Sequence, residues 1–224
     1  MMPGFAMAQL FHRSVNTLAH ASIAAGLVAA AGTGYVAYMV DRGPLTTRQG
    51  IVIEQPVPFS HEHHVRGLGI DCRYCHTAVE QSSSAGIPPT ATCMNCHKLI
   101  HANAPLLEPV RSSYRTGTPL RWARVHDLPD YVYFNHSIHV AKGVGCASCH
   151  GRVDGMPLMQ QKVSLQMEWC LKCHRDPAAF VRPRSKVFDM EWKAEDQRTL
   201  GAQLVKEYQI RSQKDLLSCS TCHR

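Results

Sequence analysis

The chain has 224 residues, with 24 Lys and Arg against 17 Asp and Glu, a formal charge of +7 and ten cysteines. That basic balance invites a nucleic-acid partner, yet the basic residues are scattered apart from Arg182-Pro183-Arg184-Ser185-Lys186, so no nucleic-acid interface is expected. Thirteen prolines, fifteen glycines and few segments of sustained period after residue 45 argue against a large regular sheet or bundle.

Residues 1–16 read as a short cytoplasmic segment. From residue 17 to 40 the sequence TLAHASIAAGLVAAAGTGYVAYMV has no formally charged side chain, and a helix of that length crosses a bilayer core of about 30 Å. Gly26, Ala30 and Gly34 place small residues on successive turns, where neighbouring membrane helices can approach closely. Ala29 and Ala31 also resemble a signal-peptide cleavage site before Gly32. The apolar run continues to Val40, longer than a usual signal core, so a retained single-pass anchor is expected. Residues 41–55 form a linker.

Every cysteine beyond it lies in a Cys-x-x-Cys-His motif. The five are Cys72-Arg73-Tyr74-Cys75-His76, Cys93-Met94-Asn95-Cys96-His97, Cys146-Ala147-Ser148-Cys149-His150, Cys170-Leu171-Lys172-Cys173-His174 and Cys219-Ser220-Thr221-Cys222-His223. One such motif can be a redox dithiol or half a zinc site. Five, with no cysteine left over, point to c-type haem attachment. The two thiols of each motif form thioethers with a haem, and the histidine reaches its iron as the proximal ligand. Five haem c groups are therefore expected, and their ten propionates bring the charge close to neutral. Haem attachment of this kind is made outside the cytoplasmic membrane, which orients the anchor: inner membrane, single pass, haem domain periplasmic.

A longer pattern repeats. Phe59-Ser60-His61-Glu62-His63-His64 precedes the first motif, and Phe134-Asn135-His136-Ser137-Ile138-His139 precedes the third. Each is followed by a second motif, 21 positions on from Cys72 and 24 on from Cys146. Two dihaem units follow from this, residues 56–104 and 131–180. Low-spin electron-transfer haems need a second axial ligand, and histidines at i and i+3 share a helical face about a turn apart. His61, His64, His136 and His139 are thus the candidate distal ligands, each pair serving two irons. For the fifth iron Met156 and Met159 lie between the third and fourth motifs, and a thioether there would raise its potential. His63, His101 and His126 remain as alternatives.

Residues 105–130 connect the units, with 118–130 expected to be extended. Arg121 and Arg124 are candidate propionate partners there, and Trp122 a cover for a haem edge or a subunit surface. Residues 181–224 hold the fifth motif and a helix expected over 193–212, where Leu200, Leu204 and Tyr208 recur at four-residue spacing beside Val205. The expected fold class is a multihaem cytochrome c: irregular chain and short helices wrapped around five haems, with one amino-terminal transmembrane helix.

Several phrases carry a resemblance. They are Arg124-Val125-His126-Asp127-Leu128-Pro129-Asp130, Tyr133-Phe134-Asn135-His136 with His139, Gly143-Val144 before the third motif, and Met167-Glu168-Trp169 running into the fourth. With the anchor and five motifs, the chain resembles the pentahaem cytochrome subunit of bacterial alternative complex III, a respiratory or photosynthetic quinol-oxidising complex. The resemblance implies an iron–sulphur protein, polytopic quinol-binding membrane subunits and a monohaem cytochrome c as partners. It implies onward transfer to a soluble cytochrome c, a copper protein or an oxidase, and a methionine ligand on one haem. Related menaquinone-reducing complexes carry an additional haem, so five favours the quinol-oxidising kind. The chain then acts as an electron-transfer subunit rather than a catalyst alone. The alternative is a membrane-anchored quinol dehydrogenase similar to the tetrahaem partners of periplasmic nitrite and nitrate reductases.

Overall fold

A computed structural model describes residues 11–223, so most of the expected cytoplasmic segment lies outside the described residues. The chain divides into two units, Met1–Thr46 and Thr47–Arg224.

The first unit is a helix, α1 (Ser14–Arg42), three residues longer at its start than the expected span and two longer at its end. At 1.5 Å per residue it reaches about 43 Å. Its apolar side chains are exposed all round: Leu18, Leu27, Val28 and Tyr35 each keep about two thirds of their surface accessible. A helix apolar on every face is covered by lipid or by other protein. By length and composition α1 can cross a membrane, which supports membrane anchoring. Gly43 closes it, its N–H donating to the Val40 carbonyl at 3.1 Å, and a short turn, α2 (Pro44–Thr47), follows.

The second unit holds short helices joined by irregular chain. They are α3 (Cys72–Cys75), α4 (Thr90–His97), α5 (Glu108–Thr116), α6 (His136–Ala141), α7 (Cys146–His150), α8 (Met167–Arg175), α9 (Gln197–Glu207), α10 (Gln213–Leu216) and α11 (Cys219–Cys222). All five cysteine motifs start in or within one of these helices. A helical turn brings both cysteines of a Cys-x-x-Cys pair to one face.

Fully buried apolar side chains are few. Val181, Leu204 and Tyr208 form one cluster, with Val144, Leu200, Val205 and Ile210 packed against it. This is the predicted stripe, and α9 carries it against the turn Pro177–Ala179. The helix is shorter than the expected 193–212. Asp196 caps its start by accepting from the Arg198 and Thr199 N–H groups at 3.1 Å, and Gln209 ends it in the left-handed region at φ 50°. Gly201 is needed where α9 meets that turn, because a Cβ there would overlap the Ala178 carbonyl.

The first half of the connector, for which no element was expected, holds a helix. α5 forms there, opened by Pro109 and closed by Gly117 at φ 70°, and it packs on α4. Val110 and Ser113 are buried in that contact. The second half carries no helix or strand, and Gln55 exchanges two hydrogen bonds of 2.9 Å with the Ala123 backbone. Where the chain enters the second unit, buried Gln161 donates to the Thr47 and Val163 carbonyls at 2.8 Å.

Candidate haem sites

The repeated histidine frame folds twice in the same way. Ser60 and Asn135 each cap the turn that follows. Ser60 Oγ accepts from the His63 N–H at 3.1 Å, and Asn135 Oδ1 accepts from the Ile138 N–H at 3.3 Å. Their carbonyls bond the second histidine of each frame: His64 Nδ1 lies 2.8 Å from Ser60 O, and His139 Nδ1 lies 2.7 Å from Asn135 O. The leading phenylalanine sits between the two histidines in both copies. Phe59 lies 4.9 Å from His61 and 4.4 Å from His64, and Phe134 lies 4.8 Å from His136 and 4.5 Å from His139. The first frame continues as a wide π-type turn, Glu62–Gly67, and the second as α6.

These histidines face the motif histidines at a consistent distance. Ring centres are 6.2 Å apart for His64 and His97, 6.3 Å for His136 and His150, and 6.3 Å for His139 and His174. With metal–nitrogen bonds of about 2 Å and each ring centre about 1 Å further back, two imidazoles sharing an iron from opposite sides have centres about 6 Å apart. Both ring planes contain the nitrogen–iron–nitrogen axis, so the angle between them is free, and the three pairs show 65°, 11° and 27°. His76 lies close enough to His61 to add to the lowering of His61's protonation that burial begins.

The ring nitrogens are sorted as ligands require. His76 Nδ1 lies 2.7 Å from Gly86 O, His97 Nδ1 3.1 Å from Ile100 O, His174 Nδ1 3.0 Å from Leu216 O and His223 Nδ1 3.3 Å from Tyr131 O. His136 Nδ1 lies 2.8 Å from Ser83 O. A carbonyl only accepts, so Nδ1 carries the proton and Nε2 keeps its lone pair for a metal. Burial, then neighbouring histidines, pushes His61 down to about 4 and His150 down to about 3. Both are held neutral, the form that ligates.

The ten cysteines form no disulfide. Burial pushes the Cys146 and Cys173 thiols up to about 11 and Cys149 up to about 12. Such protonated thiols are poor metal or redox thiolates. A cavity of about 500 Å³ opens beside the second motif, lined by Ile87, Pro89, Thr90, Arg121 and Trp122. The residues present thus fit haem: paired cysteines on helical turns, imidazoles with free Nε2 at bridging distance, and adjoining space.

The remaining candidates fall elsewhere. Met156 is buried, its carbonyl accepting from the Glu62 N–H at 3.1 Å, so it lies against the first histidine frame. Met159 is half-buried two residues before buried Gln161. His126 Nε2 is buried without a hydrogen-bond partner. Its ring lies 4.3 Å from His150, too close to share an iron with it from opposite faces. His63 and His101 are exposed. Arg124 pairs with Asp127 at 3.0 Å on the surface, while Arg121 lines the cavity. The bonds that orient the motif histidines, such as Leu216 O for His174, were not foreseen, because no local pattern marks a carbonyl acceptor 42 residues away.

Residues 132–224 match the family model of cytochrome c7 and related cytochrome c. The match begins just before α6 and takes in the third, fourth and fifth motifs. That part of the chain is similar to multihaem cytochromes c, a family whose members hold haem c covalently. A multiheme cytochrome c subunit of menaquinone reductase from Nitratidesulfovibrio vulgaris is 33% identical to this chain over 126 residues, 56% of the chain and 53% of the relative. The chain spans about half the length of that curated relative.

Proposed function

We propose that the chain holds five haem c groups and serves as the electron relay of a quinol-oxidising membrane complex of the alternative complex III kind. Cys72, Cys75, Cys93, Cys96, Cys146, Cys149, Cys170, Cys173, Cys219 and Cys222 attach them. His76, His97, His150, His174 and His223 are the proximal ligands, and His61, His64, His136 and His139 the distal ones. The observation that carries this is the 6.2–6.3 Å separation of three motif histidines from three frame histidines. Haem supplies a one-electron redox change at iron. The protein's part is to hold ligands still. Backbone carbonyls fix the tautomers of His64, His76, His97, His136, His139, His174 and His223 and raise their basicity, and the phenylalanine of each frame packs against both of its histidines. Imidazoles held this way would move little if an iron bound between them changed oxidation state.

The fifth distal position goes to Met156 or Met159, with His126 the competitor because its Nε2 is buried and unpartnered. The helix α1 tethers the haem unit to the inner membrane on its periplasmic side, beside an iron–sulphur protein, polytopic quinol-binding subunits and a monohaem cytochrome c. Electrons leave to a soluble cytochrome c, a copper protein or an oxidase. The likeness to a menaquinone reductase subunit favours one second reading, the same relay run toward a quinone.

The experiment is purification of the tagged chain in mild detergent. Quinol oxidation coupled to reduction of a soluble acceptor is expected to copurify with iron–sulphur and polytopic partners, and the cytochrome alone is expected to be nearly inactive. Quinol dehydrogenase activity in the cytochrome alone would move the assignment to the tetrahaem-like class. Copurified activity running only toward quinone would select the reductase.

A further inference from the structure

The five motifs do not meet in space in their sequence order. The first and second touch through their own residues: Asn95 Nδ2 donates to the Tyr74 hydroxyl at 3.0 Å. The first also touches the elements of the third. The loop after it holds the start of α6, with Ser83 O accepting from the His136 N–H at 3.1 Å and from Nδ1 at 2.8 Å, and Ser82 O accepting from the Ser137 N–H at 3.1 Å. The turn just after the third motif returns to the first frame, through Glu62 N–H to Met156 O at 3.1 Å and Arg66 to Asp154 at 3.4 Å. The third and fourth motifs share α6, which faces His150 with His136 and His174 with His139. The fourth and fifth meet where His174 Nδ1 bonds Leu216 O at 3.0 Å, three residues before Cys219.

Exposure marks the ends. Of the ten cysteines only Cys96 in the second motif and Cys219 in the fifth are exposed, and the other eight are half-buried.

We infer that the five attachment sites lie in space in the order two, one, three, four, five, so that the second and fifth are the termini of the relay. This rests on the relay reading above and adds its direction-defining ends. The first site is then internal, with two neighbours, although it is first in the chain. Electrons enter or leave where α4 and α11 stand, and the surfaces beside Cys96 and Cys219 are where redox partners bring their own centres.

The test is the position of each iron in the native, haem-loaded membrane complex by electron cryo-microscopy, with the haem count fixed by intact mass. No variant has to fold. The expected result is that the iron of site one has two near iron neighbours, those of sites two and three, and that of site two has only one. Site two standing between sites one and three would overturn the order while leaving the relay intact. A native chain carrying fewer than five haems would overturn the relay of five and the order with it.

Discussion

His139 and His174 lie with ring centres 6.3 Å apart, each with Nδ1 bonded to a backbone carbonyl, Asn135 O at 2.7 Å and Leu216 O at 3.0 Å. Two imidazoles from segments 35 positions apart in sequence are thus presented with both lone pairs free. His64 and His97 repeat the arrangement with Ser60 O and Ile100 O as acceptors. These paired presentations underlie the predictions that follow.

The haem count is tested by mass. Ten cysteines in five motifs, none in a disulfide, predict that acid-denatured native protein exceeds its polypeptide mass by five haem groups. Four or fewer additions would reject the count.

Removing a distal histidine is expected to change one iron and leave attachment alone. His64→Ala and His139→Ala each keep all thioether cysteines, so the haem mass is expected to stay the same. One haem per variant is expected to become high-spin and bind carbon monoxide, and its potential to move within the roughly 0.8 V range that axial ligands span. Absorption spectra with and without carbon monoxide read this out. An unchanged low-spin spectrum in either variant would remove that histidine from the ligand set.

What the sequence made legible follows how local each signal is. Haem attachment needs two thiols and an imidazole within five residues, so Cys146 to His150 reads directly. The frame around His136 and His139 is local too, and its duplication around His61 and His64 makes these four histidines stand out in the sequence. The stripe on α9 was readable because Leu200, Leu204 and Tyr208 keep a helical spacing. The helix α5 was not, since only Val110 and a small polar residue, Ser113, are buried on it and nine residues give a weak period. The spatial order of the motifs was beyond reach, because it depends on bonds such as Ser83 O to His136 Nδ1 across 53 residues. No spacing rule encodes such a bond.

Packing in the second unit can be tested away from any haem ligand. At Gly201 an added methyl meets the Ala178 backbone carbonyl, which cannot swing aside as a side chain would. Gly201→Ala is expected to cost about 1–3 kcal/mol, the usual penalty of overpacking. For a unit of this size that lowers Tm by about 2–4 °C per kcal/mol. Thermal melts followed in the Soret band measure it, with haem content expected to be unchanged. A melt equal to wild type would mean that α9 and the Pro177–Ala179 turn part at no cost.

The ligand at the fifth iron separates two chemistries. A thioether from Met156 or Met159 stabilises ferrous iron and raises the potential, whereas an imidazole from His126 gives a fifth bis-histidine haem. Met156 is buried against the first histidine frame. His126 has a buried, unpartnered Nε2 and is pushed down to about 4, first by burial and then by His136, so it too is neutral and fit to ligate. Near-infrared magnetic circular dichroism of the oxidised protein distinguishes the two ligand types by their charge-transfer bands. A histidine–methionine band is expected beside the bis-histidine bands. It is expected to vanish in either Met156→Ala or Met159→Ala, and the highest-potential step of a redox titration to fall with it. In His126→Ala the band is expected to persist. If wild type shows only bis-histidine bands, and His126→Ala turns one haem high-spin, the fifth ligand is His126 and both methionines are packing residues.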